Sequence, residues 1–279
     1  MSILRGLVLL GVLAPLLLSG PALKAAEPAR VAIIIDDLGF RADQDRAVLG
    51  LDRRIAVAVI PNAPRAGDMA RLATAQRREL LVHLPLAHAH QQDCDAPVCP
   101  RREWSAERMR QHLAWAFDEV EGAIGINNHQ GSLFTSDAAA TRRLVEGLVL
   151  FNRERERPLF VIDSRTSPGS MLAGMAVEAG LSAGQRQVFL DHERSLEAIE
   201  RAWLELLRLS RRDGSAIAIG HPHPETIEFL NQAVAMLEDQ GIRLVPISSL
   251  LKPAAVRRPG NGHAAAAAAY TSPTVPARP

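Results

Sequence analysis

A chain of 279 residues that is 47% apolar can bury a large core, and one α/β domain of about 200–250 residues fits that length with segments to spare. The formal net charge is +1, so there is no basic stripe to track a phosphate backbone, and no nucleic-acid partner is expected. Aromatic residues make up only 4%, which leaves few rings for stacking on sugars, and two cysteines do not make a disulfide framework.

The first segment in chain order reads as an export signal. Arg5 supplies positive charge, an apolar run covers 6–18 with Pro15 inside it, and small residues follow at 20–26. The run is shorter than the roughly 20 residues that span a bilayer. Residues 1–26 are therefore expected to be a signal peptide, with a retained anchor as the alternative. The folded part is then periplasmic or secreted.

Short β-branched runs come next, at 31–35, 55–60, 80–84, 123–126, 159–162, 188–190, 216–219 and 244–247. Amphipathic stretches at 105–119, 137–151, 195–210 and 224–240 lie between several of them, with Ser105 and Ser195 as N-cap candidates. Continuous apolar strands separated by helices predict a mainly parallel sheet covered on both faces. Seven to eight such units suit a (β/α) barrel, complete or distorted, over residues 29–252. The segment 253–279 is rich in alanine and proline and lacks hydrophobic periodicity, which predicts a disordered tail.

Polar residues gather where these strands end. Asp36 and Asp37 follow the first, His83 ends the third, and Asn127, Asn128 and His129 follow the fourth. Asp163 ends the fifth, Asp191 and His192 the sixth, and His221 and His223 the seventh. Carboxyl ends of parallel strands converge on one face, where ligands bind. An Asp with two His can hold a divalent ion in an open hydrolytic site, a second carboxylate can act as base, and a further His can protonate a leaving amine. Bland alternatives stand beside this reading: His83 as a core histidine, Asp163 as a helix cap or partner of Arg165, Asn127 and Asn128 as loop-backbone partners. Pro224 and Glu225 suit the first turn of a helix.

The loop 85–104 carries His88, His90, Cys94, Cys99 and Trp104. Three states are open for its cysteines: a Cys94–Cys99 disulfide, which an extracytoplasmic location favours, free thiols, or a zinc site with the histidines. Trp104 either lines the site entrance or packs.

Five segments then carry a family resemblance: Ile33-Ile34-Ile35-Asp36-Asp37-Leu38-Gly39, Val82-His83-Leu84-Pro85-Leu86, Gly125-Ile126-Asn127-Asn128-His129-Gln130-Gly131-Ser132, Val161-Ile162-Asp163-Ser164-Arg165-Thr166, and Ile219-Gly220-His221-Pro222-His223-Pro224-Glu225-Thr226. Together they resemble the divergent polysaccharide deacetylases, in that family's order. The resemblance implies a distorted (β/α) barrel related to the nodulation-type chitooligosaccharide deacetylases, a bound divalent metal such as zinc, and an acetylated glycan as substrate. It implies Asp36 as base, Asp37 as metal ligand and His221 as general acid. No His-x-x-x-His motif stands in the matching place, so His83 and His129 are the substitute metal ligands. Asp163 joins the catalytic set, and Arg165 is the candidate to orient the catalytic carboxylate. The chain departs from the pattern at Gln130, where Met is expected, and at Asp191-His192-Glu193, where Asp-Asn-Asp is expected.

Two function classes follow. One is a metal-dependent hydrolase releasing acetyl groups from envelope or extracellular glycans, or in a variant cutting a peptide or ester. The other is a non-catalytic envelope protein that binds glycan or a cell-wall enzyme on the same fold.

Overall fold

The computed structural model describes residues 27–87, 98–155 and 158–251. The expected signal segment and the tail lie outside the described residues, as do His88, His90 and Cys94. No helix among the described residues is long and apolar enough to cross a membrane.

The apolar runs become strands and the amphipathic stretches become helices outside them. In chain order they are β1 (Ala29–Leu38), α1 (Ala42–Leu49), β2 (Ala56–Val59), α2 (Ala66–Ala75), β3 (Leu80–Leu86), α3 (Ala106–Glu119), β4 (Gly125–Gln130), α4 (Ser132–Thr135) and α5 (Ala138–Arg153). Then follow β5 (Phe160–Asp163), α6 (Leu172–Glu178), β6 (Ser182–Gln185), β7 (Val188–Phe189), α7 (Leu196–Asp213), β8 (Ser215–Gly220), α8 (Pro224–Ala233) and β9 (Ile242–Leu244). Ser105 and Ser195 cap α3 and α7 as expected, their hydroxyls accepting from the N–H groups of Arg108 and Ala198.

Every strand pairing is parallel. The order across the sheet is β6-β5-β4-β3-β2-β1-β8-β7, with β9 paired to the start of β1. The two ends of this order, β6 and β7, are joined by only Arg186 and Gln187. Two residues span at most about 7 Å of extended chain, so the sheet must curl until its edges meet. The result is a distorted (β/α) barrel whose seam is closed by chain continuity; Gln187 bridges it by bonding both backbone groups of Ile217.

Nine strands form among the described residues where seven to eight were expected. The missed one, β6, reads Ser-Ala-Gly-Gln, a half-exposed edge with no apolar run to betray it. The last strand ends before its expected span of 244–247, because Pro246 cannot donate to a ladder, and Ile247 turns inward within a 3-10 turn instead.

Strand alternation divides the core in two. Val31, Ile33, Ile35, Val57, Val59, Val82, Val161, Ala216 and Ala218 face the helices. Ala32, Ile34, Ala56, Ala58, Leu81, Phe160, Ile162, Ile217 and Ile219 fill the barrel. Continuing the inner rows two residues further reaches Asp36, His83, Ser164 and His221; on β4 the inner row runs Gly125, Asn127, His129. The period of two therefore points these side chains into the mouth of the barrel.

Cys99 is buried and disulfide-bonded. Trp104 packs: its ring meets His112 edge-on at 5.5 Å and lies under the Arg108 guanidinium at 4.5 Å. His112 is buried between Trp104 and Trp115, with no hydrogen-bond partner at Nε2 among the described residues. Burial lowers its pKa from 6.5 to about 4. The folded state then binds fewer protons than the unfolded one between these values, so stability is complete above pH 6.5 and falls as pH drops toward 4. The His112→Leu variant escapes this loss. Its stability relative to wild type is expected to improve by about 2–3 kcal/mol between pH 7.5 and pH 4 in denaturant titrations; parallel pH profiles would refute the assignment.

Candidate metal centre and active site

A bulge brings both aspartates to the barrel mouth. The β1–β2 register shifts between Ile35 and Leu38, and Asp37 takes φ +61. In a regular strand neighbours point to opposite faces; here the left-handed residue turns the Asp37 carboxylate toward the same centre that Asp36 faces. Gln130 (φ +55) and Arg165 (φ +47) are also left-handed, so three strand ends at this mouth carry conformations that cost about 1–3 kcal/mol each. Gly131 follows at φ +83, where an added Cβ would lie 2.8 Å from that of Leu86.

Three donor atoms converge there. Asp37 Oδ1 lies 2.9 Å from His129 Nδ1 and 3.2 Å from His83 Nε2, and the two ring nitrogens are 3.1 Å apart. Asp37 Oδ1 is buried, yet no donor is oriented to hydrogen-bond it. The tautomer of His83 explains this. Asn127 Nδ2 donates to Asp36 Oδ1 at 2.7 Å, which turns the amide oxygen toward His83 Nδ1 at 2.9 Å. Nδ1 therefore carries the proton, and the Nε2 lone pair points at another acceptor. Nε2 can accept from a protonated His129 Nδ1 at 3.1 Å, but Asp37 Oδ1, 3.2 Å from that lone pair, is then left without a donor, and a cation would satisfy it. In its absence the ring takes a proton: burial opposes this, but Asp36 and Asp37 outweigh it and raise His83 to about 9. Asp37 moves well below the usual carboxylate range, again against burial, because of the His129 and His83 rings. One carboxylate and two imidazoles fit a divalent ion of the zinc class, with positions left open. The orphaned Asp37 oxygen is the observation that favours it.

Asp36 stands beside this centre, 2% exposed, with Oδ2 3.6 Å from His83 Nε2. Burial pushes its carboxyl above the ordinary value, in spite of His83, His221 and Asn127 pulling it down. Across the mouth, His221 Nδ1 faces Asp191 Oδ1 at 2.8 Å, and Nε2 is 4.0 Å from Asp37 Oδ2. Asp191 Oδ2 also accepts from the His221 N–H at 2.6 Å and from the Thr226 hydroxyl at 2.8 Å. Burial alone would lower the His221 pKa, but the Asp191 contact outweighs it and the net shift is upward. Phe189 stacks on the ring at 5.1 Å and 20°. Asp37, His129, Phe189, Asp191 and His221 share one cleft of about 540 Å³.

A model of the divergent polysaccharide deacetylases matches residues 33–251. The chain belongs to that family. Among relatives, an uncharacterized protein of Escherichia coli (strain K12), YibQ, is 36% identical over 236 residues, 85% of this chain and 70% of that protein. An uncharacterized protein of Haemophilus influenzae is 33% identical over 222 residues, 80% of this chain and 76% of that one. The crystal structure of the uncharacterized protein ATU2773 from Agrobacterium tumefaciens C58 superposes with a TM-score of 0.73 at 21% identity, over 81% of this chain and 90% of that one; it shares the fold.

Within this divergent deacetylase barrel, Asp36, Asp37, His83, His129 and His221 are brought together. Asp163 is not. It shares the outward row with Val161, and its oxygens accept from Arg165 N–H at 2.8 Å, from Ser170 at 2.7 Å and from Ala173 N–H at 3.3 Å, tying down the turn before α6. Among the described residues no hydrogen bond or ion pair joins it to the cluster. Asn127, read as a possible loop partner, is instead the link between Asp36 and His83. Asp191 was left out of the candidate set; its position two strand ends from the first pair gave a signal, but its partner could be named only in three dimensions. Arg186, in the short link between β6 and β7, bonds the carbonyls of Ser164 and Arg165 at 2.7 Å, lies over Phe189 at 4.5 Å, and is close enough to interact electrostatically with Asp36. No hydrogen bond or ion pair joins Arg165 or Arg186 to Asp36 among the described residues.

Proposed function

We propose that this chain is a metal-dependent amide hydrolase that removes N-acetyl groups from an envelope or extracellular glycan, acting in the periplasm or outside the cell. The convergence of Asp37 Oδ1, His83 Nε2 and His129 Nδ1 within 4.8 Å of one another carries the reading. Family membership and the sequence of residues 1–26 support the substrate class and the location.

Asp37, His83 and His129 would hold a divalent ion, zinc being suited to these donors, and when bound it would supply Lewis-acid polarisation of the acetyl carbonyl and a lowered water pKa. The remaining work falls to this chain's own groups. Asp36 is fixed at Oδ1 by Asn127, so Oδ2 is the atom that receives the proton of the attacking water. Its raised pKa suits a base better than an ordinary exposed carboxylate would. His221, oriented through Nδ1 by Asp191, presents Nε2 to the cleft. A proton on that atom passes to the departing sugar amine, and Asp191 stabilises the cationic ring that holds it. Phe189 keeps the ring in plane.

Acetate release from defined N-acetylated oligosaccharides by the zinc-loaded chain tests the reading. Free acetate and an equimolar amine are expected. Peptide or ester cleavage without acetate would change the scissile bond, and no turnover of any acetylated glycan would overturn the hydrolase.

A further inference from the structure

The cleft that holds Asp37 and His129 also carries two arginines. Arg41 and Arg194 both line it, together with the half-exposed ring of Phe40. Both arginines are exposed, and neither guanidinium forms an ion pair among the described residues, a state that other exposed arginines such as Arg53 and Arg211 share.

The acids closest in sequence are engaged elsewhere. Asp43 pairs with Arg46 and Glu193 with Arg201, both at 3.7 Å. Buried Asp45 spends Oδ2 on the N–H groups of Gly39 and Arg41, at 3.0 and 3.1 Å. That bond also fixes the backbone from which Arg41 projects. Inside the cleft, Asp37 is turned to the metal centre and Asp191 is locked to His221 and Thr226. Arg41 and Arg194 are thus left without an ion-pair partner among the described residues, although Asp45 lies close enough to Arg41 to interact electrostatically.

Helix stability does not explain these two residues. Arg41 occupies the N-cap of α1 and Arg194 precedes the N-cap of α7, where the helix dipole favours acids and disfavours cations. Both arginines line the cleft together with His223, whose pKa is lowered by burial and by the positive charges of Arg194, His221 and Arg41, against the pull of Asp191. They therefore flank the same stretch of the cleft.

We propose that the cleft binds a saccharide bearing an anionic group, with Arg41 and Arg194 holding the anion while an acetamido group on the same molecule lies at the metal centre. This rests on the hydrolase reading for the second contact only. Two planar guanidinium forks match the oxygens of a carboxylate or a phosphate, and the Phe40 ring offers an apolar face to the sugar. The substrate class narrows from acetylated glycans in general to acidic ones.

Three tetrasaccharides of N-acetylglucosamine test this by calorimetric titration of the full chain: one neutral, one carrying a carboxylate ether, one carrying a phosphate monoester. Binding of an acidic probe is expected to exceed that of the neutral probe by about tenfold at low salt, and the gap to close in 0.5 M salt. The tighter of the two acidic probes identifies the anion. The Arg41→Gln/Arg194→Gln variant is expected to bind all three like the neutral probe, and Arg41→Lys/Arg194→Lys to recover part of the preference. Both side chains are exposed, and a matched thermal transition shows that the variants fold. Equal binding of neutral and acidic probes by wild type, or a preference that survives Arg41→Gln/Arg194→Gln, overturns the proposal. Acetate release from the same neutral probe is scored separately. A lost preference with intact release removes only the anion site, and a kept preference without release removes only the hydrolase.

Discussion

Asp36→Asn is expected to lower acetate release by about 10²–10⁴-fold, the range for losing a positioned general base, while the protein keeps its metal. The substitution preserves shape and the hydrogen bond from Asn127, which reaches Oδ1 at 2.7 Å, provided the new amide turns its oxygen that way. It removes a carboxylate oxygen beside the donor cluster, Oδ2, that is neither assigned to the metal nor held in a hydrogen bond, and that lies 3.6 Å from His83 Nε2. Substrate affinity is expected to change little, so the loss falls on kcat. Metal analysis of the same preparation separates a chemical defect from a binding one: a variant that loses both metal and turnover would make Asp36 a ligand rather than the base.

Asp37→Ala and His129→Ala are expected to fall from about one bound zinc per chain to none under conditions that saturate wild type. Asp37 contributes the charge of the donor set and makes both short contacts, at 2.9 and 3.2 Å. Zinc binds the folded chain and should raise its stability by RT ln(1 + [L]/Kd), about 4 kcal/mol at a thousandfold excess over Kd. Wild type is therefore expected to gain several degrees in thermal midpoint on adding zinc, and the two variants little or nothing. An unchanged gain in Asp37→Ala would place the ion elsewhere, the Asp191, His221 and His223 group being the other arrangement of donors among the described residues.

The barrel and most of its site were legible before any coordinates. The reason is periodicity: buried parallel strands must be continuously apolar, and polar residues just past their ends have only the ligand face to occupy. The same period of two contained more than was extracted from it. Ile34 leads to Asp36, Leu81 to His83 and Ile219 to His221 along inner rows, whereas Asp163 follows Val161 on the outer row. Its anchoring of the turn before α6 was thus implicit in the spacing. Where apolar patterning is weak the reading failed: β6 and Arg186 have no such signal, because an exposed edge strand and a two-residue link bury too little to leave one.

The sequence by itself determined most of the strands, four of the longer helices, the inner faces of most strands, and the strand-end positions of Asp36, Asp37, His83, His129 and His221, since these follow from local burial and chain direction. Tertiary structure decided what those residues do to each other. A bulge with Asp37 at φ +61 turns two adjacent carboxylates toward one centre, which alternation alone forbids. The Asp36–Asn127–His83 chain, with contacts across 91 and 44 residues, fixes a tautomer. The Asp191–His221 pair, 30 residues apart, arises only because β7 and β8 lie side by side. Proton positions and donor convergence depend on distances of about 3 Å between segments remote in the chain, and those distances exist only once the barrel has closed.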